Sequence, residues 1–81
     1  MQPIVDKESW LNMSIGERII ELRKLEHISQ ADLAKALSVS RQAVSKWERG
    51  ICCPDIALLD EIADLFGMSI DMFVRMGKPH G

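Results

Sequence analysis

The chain has 81 residues, 47% of them hydrophobic and 27% charged, so it is long enough for one domain with a core and too apolar to be disordered. Its formal net charge of −2 at pH 7 excludes a uniformly basic surface of the kind that many nucleic-acid-binding proteins carry. No apolar run reaches the length of a membrane span or a signal-peptide core, so the sequence predicts a cytoplasmic protein.

Positive charge is concentrated in the middle of the chain. The net charge is −1 over residues 1–26, +2 over residues 27–50 and −3 over residues 51–81. A protein with this distribution can bind DNA through one basic stripe while its acidic faces point away.

Helix signals follow one another closely along residues 14–76, and strand signals are almost absent. Ser14, Ser29 and Ser40 each stand where an N-cap is expected, and Gly50 and Gly67 stand where helices should end. The five predicted helices are "SIGERIIELRKLEH", "SQADLAKAL", "SRQAVSKWER", "PDIALLDEIADLFG" and "SIDMFVRM". The predicted fold class is therefore all-α, a compact five-helix bundle.

The segments outside the predicted bundle are an N-terminal arm, residues 1–13, and a C-terminal tail, residues 77–81. The arm contains four large apolar residues, which are too many for a purely solvated segment: Ile4, Val5, Trp10 and Leu11. Two interpretations stay open for it, folding back over the core or packing on a second subunit.

The second and third predicted helices are joined by only three or four residues, "LSVS", which forces a sharp crossing of the two helices. Val44 and Trp47 are spaced to face the inside of this corner. The residues left on the outside of the third helix are Arg41, Gln42, Ser45, Lys46 and Arg49. In the DNA major groove, Arg and Lys pair with guanine and Gln pairs with adenine, so this face suits base recognition. A merely solvated helix face is the alternative.

Several motifs in this region coincide at fixed offsets: the opening "ISQ", the ending "S-x-W-E-x-G" over residues 45–50, and "PD" before the next apolar helix. With these motifs the chain resembles the phage repressor and Cro-like family of helix-turn-helix regulators, the XRE family, over residues 14–76. The resemblance implies a lambda-repressor-like domain, usually dimeric, that regulates transcription at pseudo-palindromic operators.

The resemblance also assigns roles to individual residues. Those matching the family's base-contacting positions are Arg41, Gln42 and Lys46, with Ser45 beside them. Those matching its DNA-backbone contacts are Gln30, Ser40 and Arg49. Arg23 and Glu48 match an ion pair that ties the first helix to the third. His27 and Ser38 replace glycines that are frequent in the family, and both positions are expected to need positive φ.

The remaining chemistry-bearing residues predict no enzyme, cofactor or metal site. His27 and His80 have no acid or nucleophile at a telling spacing. Cys52 and Cys53 are adjacent, so a disulfide between them would be strained, and their spacing differs from that of zinc-binding pairs. Whether the two thiols respond to oxidation stays open.

The function predicted from these features is a sequence-specific DNA-binding regulator, most simply a repressor, that binds double-stranded DNA as a homodimer. The predicted dimer contact lies on the last helix and consists of Ile70, Phe73, Val74 and Met76. Trp10 and Leu11 of the arm are further candidates for the same contact. The alternative is an antitoxin or adaptor whose main partner is a protein. The apolar arm favours that alternative, as do the acidic residues of the fourth helix, which are Asp55, Asp60, Glu61 and Asp64.

Overall fold

The structure, a computed structural model, describes residue 10 and residues 12–75. Within these residues the chain forms five helices and no strand, which confirms the predicted all-α class. The helices are α1 (Ile15–Glu26), α2 (Gln30–Leu37), α3 (Arg41–Glu48), α4 (Ile56–Leu65) and α5 (Ile70–Arg75). Residues 1–9, Leu11, Met76 and the predicted tail at 77–81 lie outside the described residues. In the described part, no helix has the length and apolar character needed to cross a membrane.

The predicted N-caps are confirmed. The Ser14 hydroxyl accepts a hydrogen bond from the backbone N–H of Glu17 (3.1 Å), and the Glu17 carboxylate accepts one from the N–H of Ser14 (2.9 Å). Ser29 forms the same reciprocal box with Asp32, and Ser40 accepts from the N–H of Ala43 at 3.1 Å. These bonds satisfy N–H groups that the first turn of a helix leaves without partners, so each helix begins at a defined residue.

The two positions where glycine was expected both adopt the left-handed conformation. His27 ends α1 with a φ of 58°, and Ser38 ends α2 with a φ of 60°. Val39, the residue after Ser38, donates its backbone N–H to the carbonyl of Ala34 at 2.9 Å. The chain therefore reverses sharply, with only three residues between the end of α2 and the start of α3.

The hydrophobic core is built by all five helices. Five large core residues have 0% of their surface exposed: Ile19, Leu33, Val44, Ile62 and Phe73. Because each helix contributes at least one of them, the short helices are stabilised mainly by packing on one another.

Arg18 is buried within this core, with only 6% of its surface exposed. Its guanidinium donates hydrogen bonds to the carbonyls of Trp10 (3.1 Å), Phe73 (3.0 Å) and Val74 (2.9 Å). It also lies over the Trp10 ring, 5.3 Å from the centroid, and its burial lowers the pKa of Arg18 from the ordinary value. The guanidinium thus satisfies carbonyl oxygens at the end of α5, which helix geometry leaves without partners, and its positive charge is favourable at that end of the helix.

Trp10 folds back onto its own chain. Its side chain is buried, and its indole N–H donates to the carbonyl of Met72 at 3.2 Å. At this residue the structure matches the interpretation that the arm covers the core of its own subunit.

One residue of the predicted dimer contact on α5, Phe73, needs a correction. Phe73 is completely buried beneath the helix, so its ring offers no surface to a second copy. Ile70 and Val74 are half-buried and pack against the core, while Met72, at 45% exposure, is the large apolar side chain that α5 turns outward. At Phe73 the expectation failed because Arg18, Trp10 and the core cover more of α5 than a short helix was expected to bury.

Candidate nucleic-acid interface

α3 is fixed to the rest of the molecule by one side. Val44 is fully buried and Trp47 is 5% exposed, so these two residues anchor the helix in the core. The Ser40 cap and the left-handed turn at Ser38 determine the direction in which α3 leaves α2. The opposite side of α3 is consequently presented outward in a defined orientation.

The outward side of α3 and its C-cap residue Arg49 carry the five polar residues that the sequence placed there. Residues at these spacings lie on one side of a helix. This surface, the α3 polar face, consists of Arg41, Gln42, Ser45, Lys46 and Arg49. Ser45 is half-buried and the other four side chains are exposed. The face therefore offers three cations and an amide to the solvent.

Gly16 lets α1 come into backbone contact with the end of α3. A methyl group at Gly16 would lie 2.2 Å from the carbonyl oxygen of Trp47 and 2.9 Å from that of Glu48. Only a residue without a side chain fits such an approach. The C-terminal end of α3 is thus held directly against α1.

The ion pair expected between Arg23 and Glu48 is present and locks the same two helices together. The guanidinium of Arg23 donates to both carboxylate oxygens of Glu48, at 2.6 and 3.1 Å. The side chain of Glu48 is only 5% exposed. A carboxylate this buried needs partners, and losing one would leave an uncompensated charge, so the pair fixes the orientation of α3.

Gln30 extends this pair to the α3 polar face. Its amide N–H donates to Glu48 at 2.8 Å, and its amide oxygen accepts from Arg41 at 3.4 Å. The side chain predicted to contact the DNA backbone therefore also connects the ion pair to the first residue of α3. Sequence reasoning did not anticipate this link, because Gln30 is separated by 18 residues from Glu48 and by 11 from Arg41.

Sequence reasoning also missed Gly16 and Arg18. An isolated glycine inside a helical pattern is a signal for close packing, and Gly16 carries that signal. Arg18 carries none, since an arginine in an amphipathic helix is normally solvated.

The α3 polar face belongs to a basic part of an otherwise acidic molecule. The acidic residues named for the fourth helix are all exposed, on α4 or at its N-cap: Asp55, Asp60, Glu61 and Asp64. In the described part of the chain, no group of three or more His, Cys, Asp or Glu residues could hold a metal ion. Because the exposed charges are positive on the α3 polar face and negative on α4, the molecule is suited to binding an anionic surface at α3 and unsuited to binding one at α4.

Comparison with known proteins identifies this arrangement. A family model described as Helix-turn-helix matches residues 19–73. The HTH-type transcriptional activator BcrR of Enterococcus faecalis is 39% identical over 59 residues, 73% of this chain and 29% of BcrR. An uncharacterized HTH-type transcriptional regulator of Methanocaldococcus jannaschii is 43% identical over 53 residues, 64% of this chain and 80% of that protein. The chain thus spans less than a third of BcrR.

A solved structure shows the same fold. The P22 c2 repressor protein, crystallised in complex with the synthetic operator 9T, superposes with a TM-score of 0.74 at 33% sequence identity. The match covers 82% of this chain and 100% of that one.

Proposed function

This chain belongs to the helix-turn-helix XRE family of transcription regulators, and from this premise we propose that it is a repressor that reads the major groove of a pseudo-palindromic operator as a homodimer. The observation that carries the proposal is the α3 polar face, which is exposed on a helix whose other side is locked into the core. The P22 c2 repressor, with the same fold, is bound to an operator in its crystal structure.

The proposed base contacts come from the α3 polar face. Arg41 and Gln42 stand in the first turn of α3, the part of such a helix that enters the groove most deeply. Arg41 has the forked donors that match N7 and O6 of guanine, and the amide of Gln42 matches adenine. Lys46 reaches a neighbouring base one turn later, with Ser45 beside it.

The proposed backbone contacts surround these residues. Ser40 caps α3, so the N–H groups of the first turn point out of the helix there, where a phosphate can accept from them. Arg49 follows the last residue of α3 and Gln30 begins α2, and both flank the groove-reading residues. Contacts of this kind set the register of the protein on the duplex.

The homodimer follows from the size of the site. A single α3 reads only a few base pairs, whereas two copies related by a two-fold axis read half-sites about 34 Å apart on one face of the duplex. Ile70 and Val74 of α5 stay the proposed contact to the second copy, together with the exposed Met72. The relatives described above are named as regulators of transcription, which favours DNA over a toxin or adaptor partner as the main ligand.

Selection of bound duplexes from a random DNA pool tests the proposal. We expect the wild type to enrich a two-fold symmetric site and the Arg41→Ala/Gln42→Ala variant to enrich none. Each lost base contact should cost about 1–3 kcal/mol of discrimination.

The matched control is Lys24→Ala, which also removes one exposed positive charge but lies on α1. It should enrich the wild-type site, and thermal melting should show that all three proteins are folded. Enrichment of nothing by the wild type, or of the same site by the double variant, would refute groove reading by α3. Enrichment of an asymmetric single half-site would refute the homodimer.

A further inference from the structure

Two thiols lie side by side in the connection that leaves the α3 polar face. Cys52 and Cys53 are both free and both exposed. They follow Arg49 by three and four residues and precede the N-cap of α4. Among the described residues, none of the contacts that build the α3 polar face or the core uses them.

The connection that carries the thiols is fixed at both ends. Before them, Ile51 donates its N–H to the carbonyl of Lys46 at 2.9 Å, and Gly50, with a φ of 76°, donates to Trp47 at 3.1 Å. These bonds close α3 in the manner of a Schellman motif. After the thiols, Pro54 is buried and Asp55 caps α4. The thiols therefore lie on a short, anchored loop.

The geometry of adjacent cysteines restricts what they can bind. Their Cα atoms are about 3.8 Å apart across a trans peptide, below the roughly 4.4–6.8 Å that disulfides prefer, so pairing with each other is strained. Zinc needs four ligands, and the described part of the chain has no third His, Cys, Asp or Glu near enough to join the pair. The pair suits an atom that binds sulfur strongly and needs only two sulfur ligands from the protein.

We propose that Cys52 and Cys53 form a dithiol site for trivalent arsenicals, and that occupation of this site weakens DNA binding. In the reaction with an organoarsenical oxide, two S–H bonds break and two S–As bonds form. The two protons leave with the arsenical oxygen as one water molecule, and nothing is oxidised or reduced. The arsenic keeps its organic group as its third substituent.

The coupling to DNA, which rests on the proposed function, follows from the position of the loop. A bridged pair closes a ring through the peptide between Cys52 and Cys53 and restricts the backbone there. The ring lies directly after the bonds that close α3 at Lys46 and Trp47. Distortion passed to that end of α3 displaces Arg49 and Lys46, two cations of the α3 polar face.

Titration of the reduced full chain with phenylarsine oxide tests the site without DNA. We expect one arsenical per chain by intact mass and loss of both free thiols. The second S–As bond forms within one molecule, so Cys52→Ser and Cys53→Ser should each bind about 100-fold more weakly or worse. A dithiol such as dimercaptopropanol should remove the arsenical, and a monothiol at equal thiol concentration should not.

DNA binding is then measured by fluorescence anisotropy on a duplex that the wild type binds. The arsenical should weaken binding by the wild type by about tenfold, a typical size for coupling between two sites, and leave the Cys52→Ser/Cys53→Ser variant unchanged. Two arsenicals per chain, displacement by the monothiol, or unchanged affinity in the single variants would overturn the dithiol site. A filled site with unchanged DNA affinity would overturn the coupling, and absence of DNA binding by the untreated chain would count against the proposed function instead.

Discussion

Gly16 shows how one missing side chain positions a functional helix. We expect Gly16→Ala to lower the free energy of unfolding by about 1–3 kcal/mol, the usual cost of forcing extra volume into a packed structure. The added methyl would meet the carbonyl oxygen of Trp47 at 2.2 Å, and a backbone atom cannot move aside without shifting α1 or α3. Chemical denaturation with urea measures the change in the free energy of unfolding.

Gly67→Ala is the matched control, because it adds the same methyl where no described residue other than its chain neighbours comes within 4 Å. Its φ of 72° makes alanine strained there by about 1–2 kcal/mol, a purely local cost. Gly16→Ala should also weaken operator binding beyond its loss of stability, since it displaces α3, whereas Gly67→Ala should not. Equal DNA affinity of the two folded variants would show that the approach at Gly16 does not position α3.

The turn between α2 and α3 stores backbone strain at Ser38, which has a φ of 60°. We expect Ser38→Gly to stabilise the protein by about 1 kcal/mol, because glycine adopts the left-handed conformation without the penalty of a side chain. For a domain of this size that corresponds to a rise in Tm of about 4–8 °C, which calorimetry measures.

Ala36→Gly is the control for this element, since it also removes an exposed side chain from α2 but at a helical position. It should destabilise by about 1 kcal/mol, the ordinary cost of glycine in a helix. A Ser38→Gly variant that melts at or below the wild-type temperature would mean that the serine side chain stabilises the turn.

The helices were predictable because their signals are local. The caps at Ser14, Ser29 and Ser40 act over three residues. The left-handed positions at His27 and Ser38 were expected from the resemblance, because the family often has glycine there. The α3 polar face was predictable for the same reason, since Val44 and Trp47 define its opposite side.

What sequence reasoning missed depends on residues far apart along the chain. Arg18 can be buried because carbonyl oxygens 55 and 56 residues away accept hydrogen bonds from its guanidinium. Phe73 was expected at a subunit contact because the sequence does not show how deeply α5 packs. That depth depends on the whole core, in which Phe73 is completely buried. Ile56 continues the apolar pattern of α4 yet is 74% exposed, because periodicity shows which residues share a face and not whether a neighbour covers it.

The distribution of charge over the whole molecule predicts how salt affects DNA binding. Each phosphate contact contributes about 0.9 to the slope of log affinity against log salt concentration. We therefore expect Arg49→Ala to weaken binding to all duplexes alike and to reduce that slope by about 1. Arg49→Lys keeps the charge and should keep the slope, and a loss of sequence preference in Arg49→Ala would instead place this residue on a base.

The acidic face of α4 provides the opposite test at this scale. Asp60 and Glu61 are exposed. In the proposed complex their face turns away from the duplex, so it acts on the DNA only through the long-range field. Neutralising both as Asp60→Asn/Glu61→Gln should raise affinity for any duplex at about 0.01 M salt, where the Debye length is about 30 Å. At about 0.15 M salt the Debye length is about 8 Å, and the gain should disappear. Anisotropy titrations at both salt concentrations measure it. A gain that persists at the higher concentration would place α4 beside the duplex and would contradict the proposed orientation, in which α3 enters the groove.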